Sequence, residues 1–281
     1  MVKAQNEIKE SLKLIDIVVE VLDARIPLSS RNPLIDGLAG NKSRIVVLNK
    51  ADLADEAKTL AWKKYFIEKN MVCVENISTE PSNIKRLVNV IKEQGEKVYK
   101  EKNKNRENSI VIKPIYRVLI LGIPNVGKST IINKISGKNS ANVGNKPGVT
   151  KKKQWIRVSN NIDLLDTPGL LWPNLSDQNV GIHLALTGNI KQEVLDIEEI
   201  ACIGIDELIK NEKYKEMLKN KYHLVDEDLE AISYDILEQI GRKRGCIVSG
   251  GQVDMVKAAN TFLEDLKSGK IGRITLDEID L

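Results

Sequence analysis

Aromatic residues are scarce in this chain: two Phe, three Trp and six Tyr make up 4% of 281 residues. That excludes a protein that grips single-stranded nucleic acid by stacking bases on a platform of rings. Cysteine is almost absent. Cys73, Cys202 and Cys246 are odd in number and far apart, so they make neither a metal spacing nor a disulfide framework. Buried thiols in a reducing, cytoplasmic setting are the expectation. Histidine occurs only at His183 and His223, which leaves no Cys/His cluster. No run of about 18 apolar residues exists, and the start, MVKAQNEIKE, has no apolar signal core, so no membrane partner is expected. There is no internal repeat and no large excess of one charge. The formal net charge of +4 permits a nucleic-acid partner without demanding one.

What remains is ordinary for a globular protein: 42% hydrophobic and 29% charged residues, in a length that suits one large or two modest domains. Residues 4–15 read as a helix, with Ala4, Ile8, Leu12 and Ile15 on one face. Short apolar runs follow at DIVVEVLDAR, at 44–48 and at 71–74, each typical of a buried parallel strand. Helices are expected over 54–69 and 82–95, then a charged, solvated connection over 96–109. YRVLILGIPNVGKSTIINKIS reads as strand, glycine loop and helix. KKQWIRVSNNIDLLDTPG reads as a hairpin ending at Asp166. This alternation predicts an α/β fold with a doubly wound parallel sheet. Past Pro173 helical patterns take over. Residues 226–240 read as one helix capped by Asp226 and stopped by Gly241, and 252–267 as another. A boundary near 175 divides a first domain, 1–175, from a helical domain, 176–281.

GIPNVGKST (122–130) satisfies G-x-x-x-x-G-K-[ST]. Gly122 and Gly127 let the backbone curl so that its N–H groups face phosphate. Lys128 brings a point charge, and Ser129 a hydroxyl for Mg²⁺. The helix that follows adds its positive end. LLDTPG (164–169) ends the next strand, where Asp166 can hold Mg²⁺ through water and the Gly169 N–H can meet a γ-phosphate. In KPGVTK (146–151), Thr150 is the candidate for a switch threonine that ligates Mg²⁺ only when a γ-phosphate is present; by itself the stretch is equally a Pro-Gly turn. NKAD (49–52) follows an apolar strand. Asp52 can accept from guanine N1–H and N2–H₂, a donor pair adenine lacks. Taken alone, the tetrapeptide could as well cap a helix. NIS (76–78) follows the third strand, where backbone N–H groups could meet guanine O6.

Together these make a complete GTPase set in the order base, base, phosphate, switch, switch, all at strand ends. The residues expected at nucleotide are Asn49, Lys50, Ala51, Asp52, Ile77 and Ser78 around the base, and Asn125, Val126, Gly127, Lys128, Ser129, Thr130 and Gly169 around the phosphates. Lys128, Thr150 and Gly169 are the catalytic candidates, and Ser129, Thr150 and Asp166 the Mg²⁺ ligands. The set resembles the circularly permuted GTPases. A permutation is tolerable because domain termini often lie close together.

One family is closer still. VLDARIPLSSRNP (21–33), GIPNVGKST, KPGVTK, DTPGLLWP, LALTG (184–188) and GRKRGCIVSGG (241–251) resemble bacterial ribosome biogenesis GTPase A, over nearly the whole chain. The resemblance implies a cytoplasmic, monomeric GTPase that binds GTP and GDP and acts on the immature large (50S) ribosomal subunit late in its assembly. It implies K⁺ at Asn125, which matches the asparagine of cation-dependent GTPases. Two departures stand out. Leu170 follows DTPG where many GTPases carry a water-orienting Gln. Met1 lines up with the Met of a Phe-Pro-Gly-His-Met segment near the start of family members, so the histidine of that segment has no counterpart here. His183 is flanked by Leu184 and Leu186, which points to a packed helix rather than a catalytic role.

Three basic groups suit ribosomal RNA: Arg242, Lys243 and Arg244 in a glycine-flanked turn; Lys151, Lys152 and Lys153 after the switch threonine; and the lysines of the connection. A charge run is otherwise a solvated surface. Two rival readings stay open. One is a nucleotide-gated RNA-binding scaffold with negligible hydrolysis, which Leu170 favours. The other is a permuted GTPase of tRNA or membrane traffic.

Overall fold

The computed structural model describes residues 9–104, 114–137, 154–159, 161–166, 177–190 and 196–279. The first part of the chain forms β1 (Ile17–Asp23), α1 (Leu34–Ala39), β2 (Ser43–Asn49), α2 (Glu56–Glu68), β3 (Val72–Asn76), α3 (Pro81–Lys102), β4 (Tyr116–Leu121), α4 (Lys128–Ser136), β5 (Gln154–Ser159) and β6 (Ile162–Asp166). The second part forms α5 (Gln178–Leu186), α6 (Ile197–Ile209), α7 (Glu212–Tyr222), α8 (Asp226–Leu229), α9 (Ser233–Lys243) and α10 (Met255–Lys267).

The sheet runs β3-β2-β1-β4-β6-β5. All neighbours are parallel except the β5–β6 hairpin. The apolar strand runs arise because both faces are covered. Alternate residues Ile17, Val19, Val21, Ile45, Val47, Val118 and Ile120 pack with Ile84, Leu87 and Ile91 of α3 and Ile131, Ile132 and Ile135 of α4. Their neighbours face the other way: Leu22, Val46 and Leu48 lie with Trp62 and Phe66 of α2, and Val18, Leu119, Leu121 and Leu165 with Leu12, Ile15 and Ile35.

Five expectations from the sequence need correction. Among residues 9–15, helix covers only 9–12, and Ile15 is buried beyond its end. Helix α3 continues to Lys102, through what read as a solvated connection. Lys and Glu are good helix formers, Gly95 lies against the Tyr116 ring, and Tyr99 packs on the core, while the charges occupy the outer face. The segment 226–240 is not one helix: α8 and α9 are separated at 230–232, where Ile232 is exposed while Leu229 is buried. The N-terminus of α8 is secured by Asp228, whose carboxylate accepts from Val225 N–H at 2.9 Å; Asp226 instead pairs with Lys219 at 2.5 Å.

Gly241 does not stop α9 but lies inside it. A Cβ there would stand 2.5 Å from Val253 Cγ1 and 2.9 Å from Ala258 Cβ, so the glycine admits a close approach of the 246–254 loop and α10. The prediction has an informative sign. Helix propensity alone makes Gly→Ala stabilising by about 1 kcal/mol; here Gly241→Ala should destabilise by about 1–3 kcal/mol through overpacking, read as a lower urea midpoint.

Candidate functional site

The carboxyl ends of the parallel strands meet along one edge of the sheet. In register, Asp23, Asn49 and Asn76 stand side by side, and Ile120 of β4 pairs with Asp166 of β6. The chain winds from β1 outward to β3, then returns to lay β4 on the opposite side of β1. The strand order therefore reverses between β1 and β4, and open α/β sheets bind ligands in the crevice at such a point.

The glycine loop leaves β4 into this crevice. A Cβ at Gly122 would come 2.7 Å from the Val21 carbonyl. Gly127, with φ +95°, is the N-cap of α4, and any Cβ there would run into the Asn49 amide. Val126 is buried; Lys128, Ser129 and Thr130 are half-buried in the first turn of α4. Lys128 Nζ lies 3.5 Å from the Gly122 carbonyl, folded over its own loop. Asn125 has φ +62° and donates from Nδ2 to Gly188 O at 3.2 Å.

Asn49 holds three strand ends together. Fully buried, it donates to Val126 O at 2.7 Å and accepts from Asn76 Nδ2 at 2.8 Å and Ser78 Oγ at 3.1 Å. Ala51 is buried and donates its N–H to Asn76 O at 3.2 Å. Asp52 is exposed at the loop tip, and Ile77 and Ser78 are half-buried beside it in the sheet order. Lys50, with φ +59°, turns its ammonium to Asp23 Oδ2 at 2.8 Å.

That last contact belongs to a network that sequence reasoning missed. The Asp23 carboxylate is fully buried. It accepts from Arg25 Nε at 2.9 Å and Nη2 at 2.8 Å, from Lys50, and from Asn189 Nδ2 at 3.1 Å. Burial would push its pKa up, but the Arg25 and Lys50 charges and hydrogen bonds prevail and hold it well below the usual carboxylate range. Arg25 also donates to the carbonyls of Thr187, at 3.0 Å, and Lys267, at 3.0 Å. The available signal was an Asp-x-Arg closing an apolar strand, since a charge at such a place must find a partner.

His183 is half-buried in α5, and its Nδ1 lies 2.8 Å from Asp277 Oδ1 and 3.2 Å from Ser29 Oγ. Arg242 and Lys243 lie in the last turn of α9 and Arg244 is its C-cap, so the turn proper begins at Gly245, whose φ is +67°. All three are exposed; Arg242 pairs with Glu238 at 2.5 Å and Arg244 with Asp265 at 3.6 Å. Cys73 and Cys246 are buried, Cys202 is half-buried, and all three are free. Thr150, Lys151, Lys152, Lys153, Gly169 and Leu170 lie outside the described residues, and of Asp166 only the backbone is placed. Among the described residues no group of three His, Cys, Asp or Glu side chains could hold a metal, and no helix is long and apolar enough to cross a membrane. The donor set at α4 still fits Mg²⁺, which is characteristically bound by one or two protein oxygens and completed by phosphate and water.

A strand, a glycine loop and a helix, with an Asn-Lys-x-Asp loop hydrogen-bonded to the glycine loop, define a P-loop GTPase. A family model described as "50S ribosome-binding GTPase" matches residues 117–242. It starts at β4 and leaves out the upstream base-side strands. Ribosome biogenesis GTPase A of Bacillus cereus is 42% identical over 279 residues, 99% of this chain and 91% of that protein. The Thermotoga maritima protein of the same name is 32% identical over 275 residues, 98% and 90% of the two chains. A solved GNP-bound YlqF from T. maritima is 30% identical, with a TM-score of 0.64 over 98% of each chain. A GDP-bound YlqF structure gives 0.65 at 29% identity, over 97% of this chain and 98% of that one. The chain belongs to the ribosome biogenesis GTPase A family.

Arg25→Ala would leave Asp23 buried and short of its main partner, at a cost of about 3–5 kcal/mol. Because the folded-state pKa of Asp23 is depressed, the contribution is complete above the ordinary carboxylate range near ~4 and is lost as pH falls below it. Denaturation should show the full gap between wild type and variant at pH 6–8 and a narrowing gap on acidification.

Proposed function

We propose that this protein hydrolyses GTP to GDP and phosphate, binds the immature large ribosomal subunit in the cytoplasm as a monomer, and promotes a late step of its assembly. One observation carries the nucleotide part. Asn49 of the base-reading loop donates to the Val126 carbonyl of the phosphate loop, so the two motifs form one site although residues 49 and 126 are far apart in sequence. The placement of β1–β3 before β4 supports reading the domain, residues 1–175, as a circular permutation, with the charged segment around residues 96–109 joining the former termini.

The chemistry follows from positions. The backbone N–H groups of Asn125 to Thr130 and the N-terminus of α4 face the phosphates. Lys128 swings from Gly122 O to the β- and γ-oxygens. Ser129 and Asp166 would hold Mg²⁺, joined by Thr150 in the GTP state, and the metal would supply charge neutralisation at the phosphates. The Gly169 N–H would meet the γ-phosphate. Leu170 cannot orient water, so electrostatic help has to come from elsewhere. Asn125 gives its Nδ2 to Gly188 and would use its amide oxygen to hold K⁺. On the RNA side, residues 176–281 present Arg242, Lys243 and Arg244, and Lys151, Lys152 and Lys153 add charge beside the switch. They address phosphate and shape rather than base sequence.

Two measurements test this reading. Asp52→Asn should weaken GTP by roughly two orders of magnitude or more while gaining xanthosine triphosphate, whose O2 accepts where guanine N2 donates. Isolated 50S particles should raise GTP turnover, more in K⁺ than in Na⁺, and should co-sediment with the protein in a non-hydrolysable GTP analogue more than in GDP. Equal turnover in the two salts would remove K⁺ from the mechanism. Turnover unmoved by 50S, with binding retained, would favour the nucleotide-gated scaffold, to which Leu170 also points.

A further inference from the structure

The loop that carries Asp52 is held in place from the far end of the chain. After α10, residues 270–279 run without regular secondary structure back to the first half of the protein. Arg273 donates from Nε to Ala54 O at 2.7 Å and from Nη2 to Ala51 O at 3.0 Å. The next residue, Ile274, donates its N–H to Leu53 O at 3.0 Å. Carbonyls on both sides of Asp52 are thus fixed by two adjacent tail residues. The hold continues past the loop, where Thr275 Oγ1 accepts from Asp55 N–H at 3.1 Å.

Asp52 itself is exposed. The loop's other described main-chain bonds are few: Leu53 N–H to Lys50 O at 2.9 Å and Ala51 N–H to Asn76 O at 3.2 Å. A carboxylate that must accept two parallel hydrogen bonds from a base edge tolerates an error of only about 0.5 Å. The loop on either side of its Cα is therefore shaped by the Arg273 fork together with the Ile274 N–H. A lysine could reach one of the two carbonyls, but only the planar fork of a guanidinium spans both.

We propose that Arg273 is a positioning residue for base selection: it shapes the 51–54 loop so that Asp52 meets the guanine edge, and it does so without touching nucleotide. The proposal rests on reading the crevice as a guanine site. It has a specific signature. The phosphate loop is not held by Arg273, so loss of the fork should weaken only the part of binding that depends on the base.

The test measures affinities of the full chain for GDP, for IDP (which lacks the N2 amino group) and for ADP, in wild type, Arg273→Ala and Arg273→Lys. Arg273→Ala should weaken GDP about tenfold and IDP less, so that the GDP/IDP ratio falls several-fold while ADP is unchanged; Arg273→Lys should fall between. A purely structural role would lower the denaturation midpoint and leave the ratio alone. A folded Arg273→Ala with the wild-type GDP/IDP ratio, or with equal losses on all three nucleotides, would overturn the proposal. Should Arg273→Ala not fold, the ratio in Arg273→Lys decides it on the same terms. Wild type that binds ADP as tightly as GDP would instead sink the guanine reading itself.

Discussion

The Asp23 carboxylate is the constraint around which the rest is arranged. It sits fully buried at the end of the central strand, where an unpaired charge would be untenable. Its partners come from three regions: Arg25 from the loop it begins, Lys50 from the base-reading motif and Asn189 from the end of α5. Arg25 spends its remaining donors on carbonyls at 187 and 267. Satisfying one charge thus obliges the sheet, the Asn-Lys-Ala-Asp loop and the helical half to meet at one point. The arrangement is better regarded as specifying geometry than as adding stability, since buried ion pairs are often replaceable by apolar residues at little cost.

Once that point is fixed, the nucleotide crevice is nearly determined. Lys50 is drawn toward Asp23, which places Asn49 beneath the phosphate loop, and Asn49 then fixes Val126. The phosphate loop reaches the helical half directly through Asn125 and Gly188. A ligand that changes the loop at 125 or the pairing at 50 therefore acts on contacts shared with α5 and α10. Coupling between nucleotide and a distant partner would need such contacts to differ between two states; the contacts present, Asn125 to Gly188 and Arg25 to Lys267, are direct.

The parts of the fold legible in the sequence were those set by local pattern. Strands β1, β2 and β4 are short apolar runs because both of their faces are covered, and their spacing between helical patterns told them from the equally apolar run at 200–205, which lies in α6. The phosphate loop was legible because its chemistry demands Gly122, Gly127, Lys128 and Ser129 at fixed spacing. What could not be read depended on partners distant in sequence. Gly241 carries the same local signal whether it stops a helix or admits a neighbour, and only Val253 and Ala258 decide which. The Lys50–Asp23 pair could not be read because nothing local links Lys50 with a residue 27 positions earlier. The charged outer face of α3 looked like a connection because its apolar contacts, Tyr99 and Gly95, are too few to form a stripe.

The tail extends the same logic. Its closing contacts span more than 200 positions, as between Arg273 and Ala54, yet loop-closure entropy grows only logarithmically with length. Nor is the intervening chain closed by the tail alone, because α5 to α10 already pack together and Lys267 already meets Arg25. The tail has only to order its own residues, against the burial of Ile271, Ile274 and Leu276 and a row of main-chain bonds. Although it lacks regular secondary structure, the segment is tied along its length: Thr275 and Asp277 are buried as well, Leu276 N–H donates to Arg25 O, and the Asp277 carboxylate accepts from the Leu28 and Ser29 N–H groups. On the proposed reading of Asp52, a loop whose carbonyls are bonded to this segment is coupled to it: release of the tail would loosen the grip on the base, and a bound base that fixed Asp52 would in turn fix the tail. That reciprocity is a thermodynamic necessity. On that reading, residues 273–275 belong to the nucleotide-binding equilibrium and not to the helical half alone.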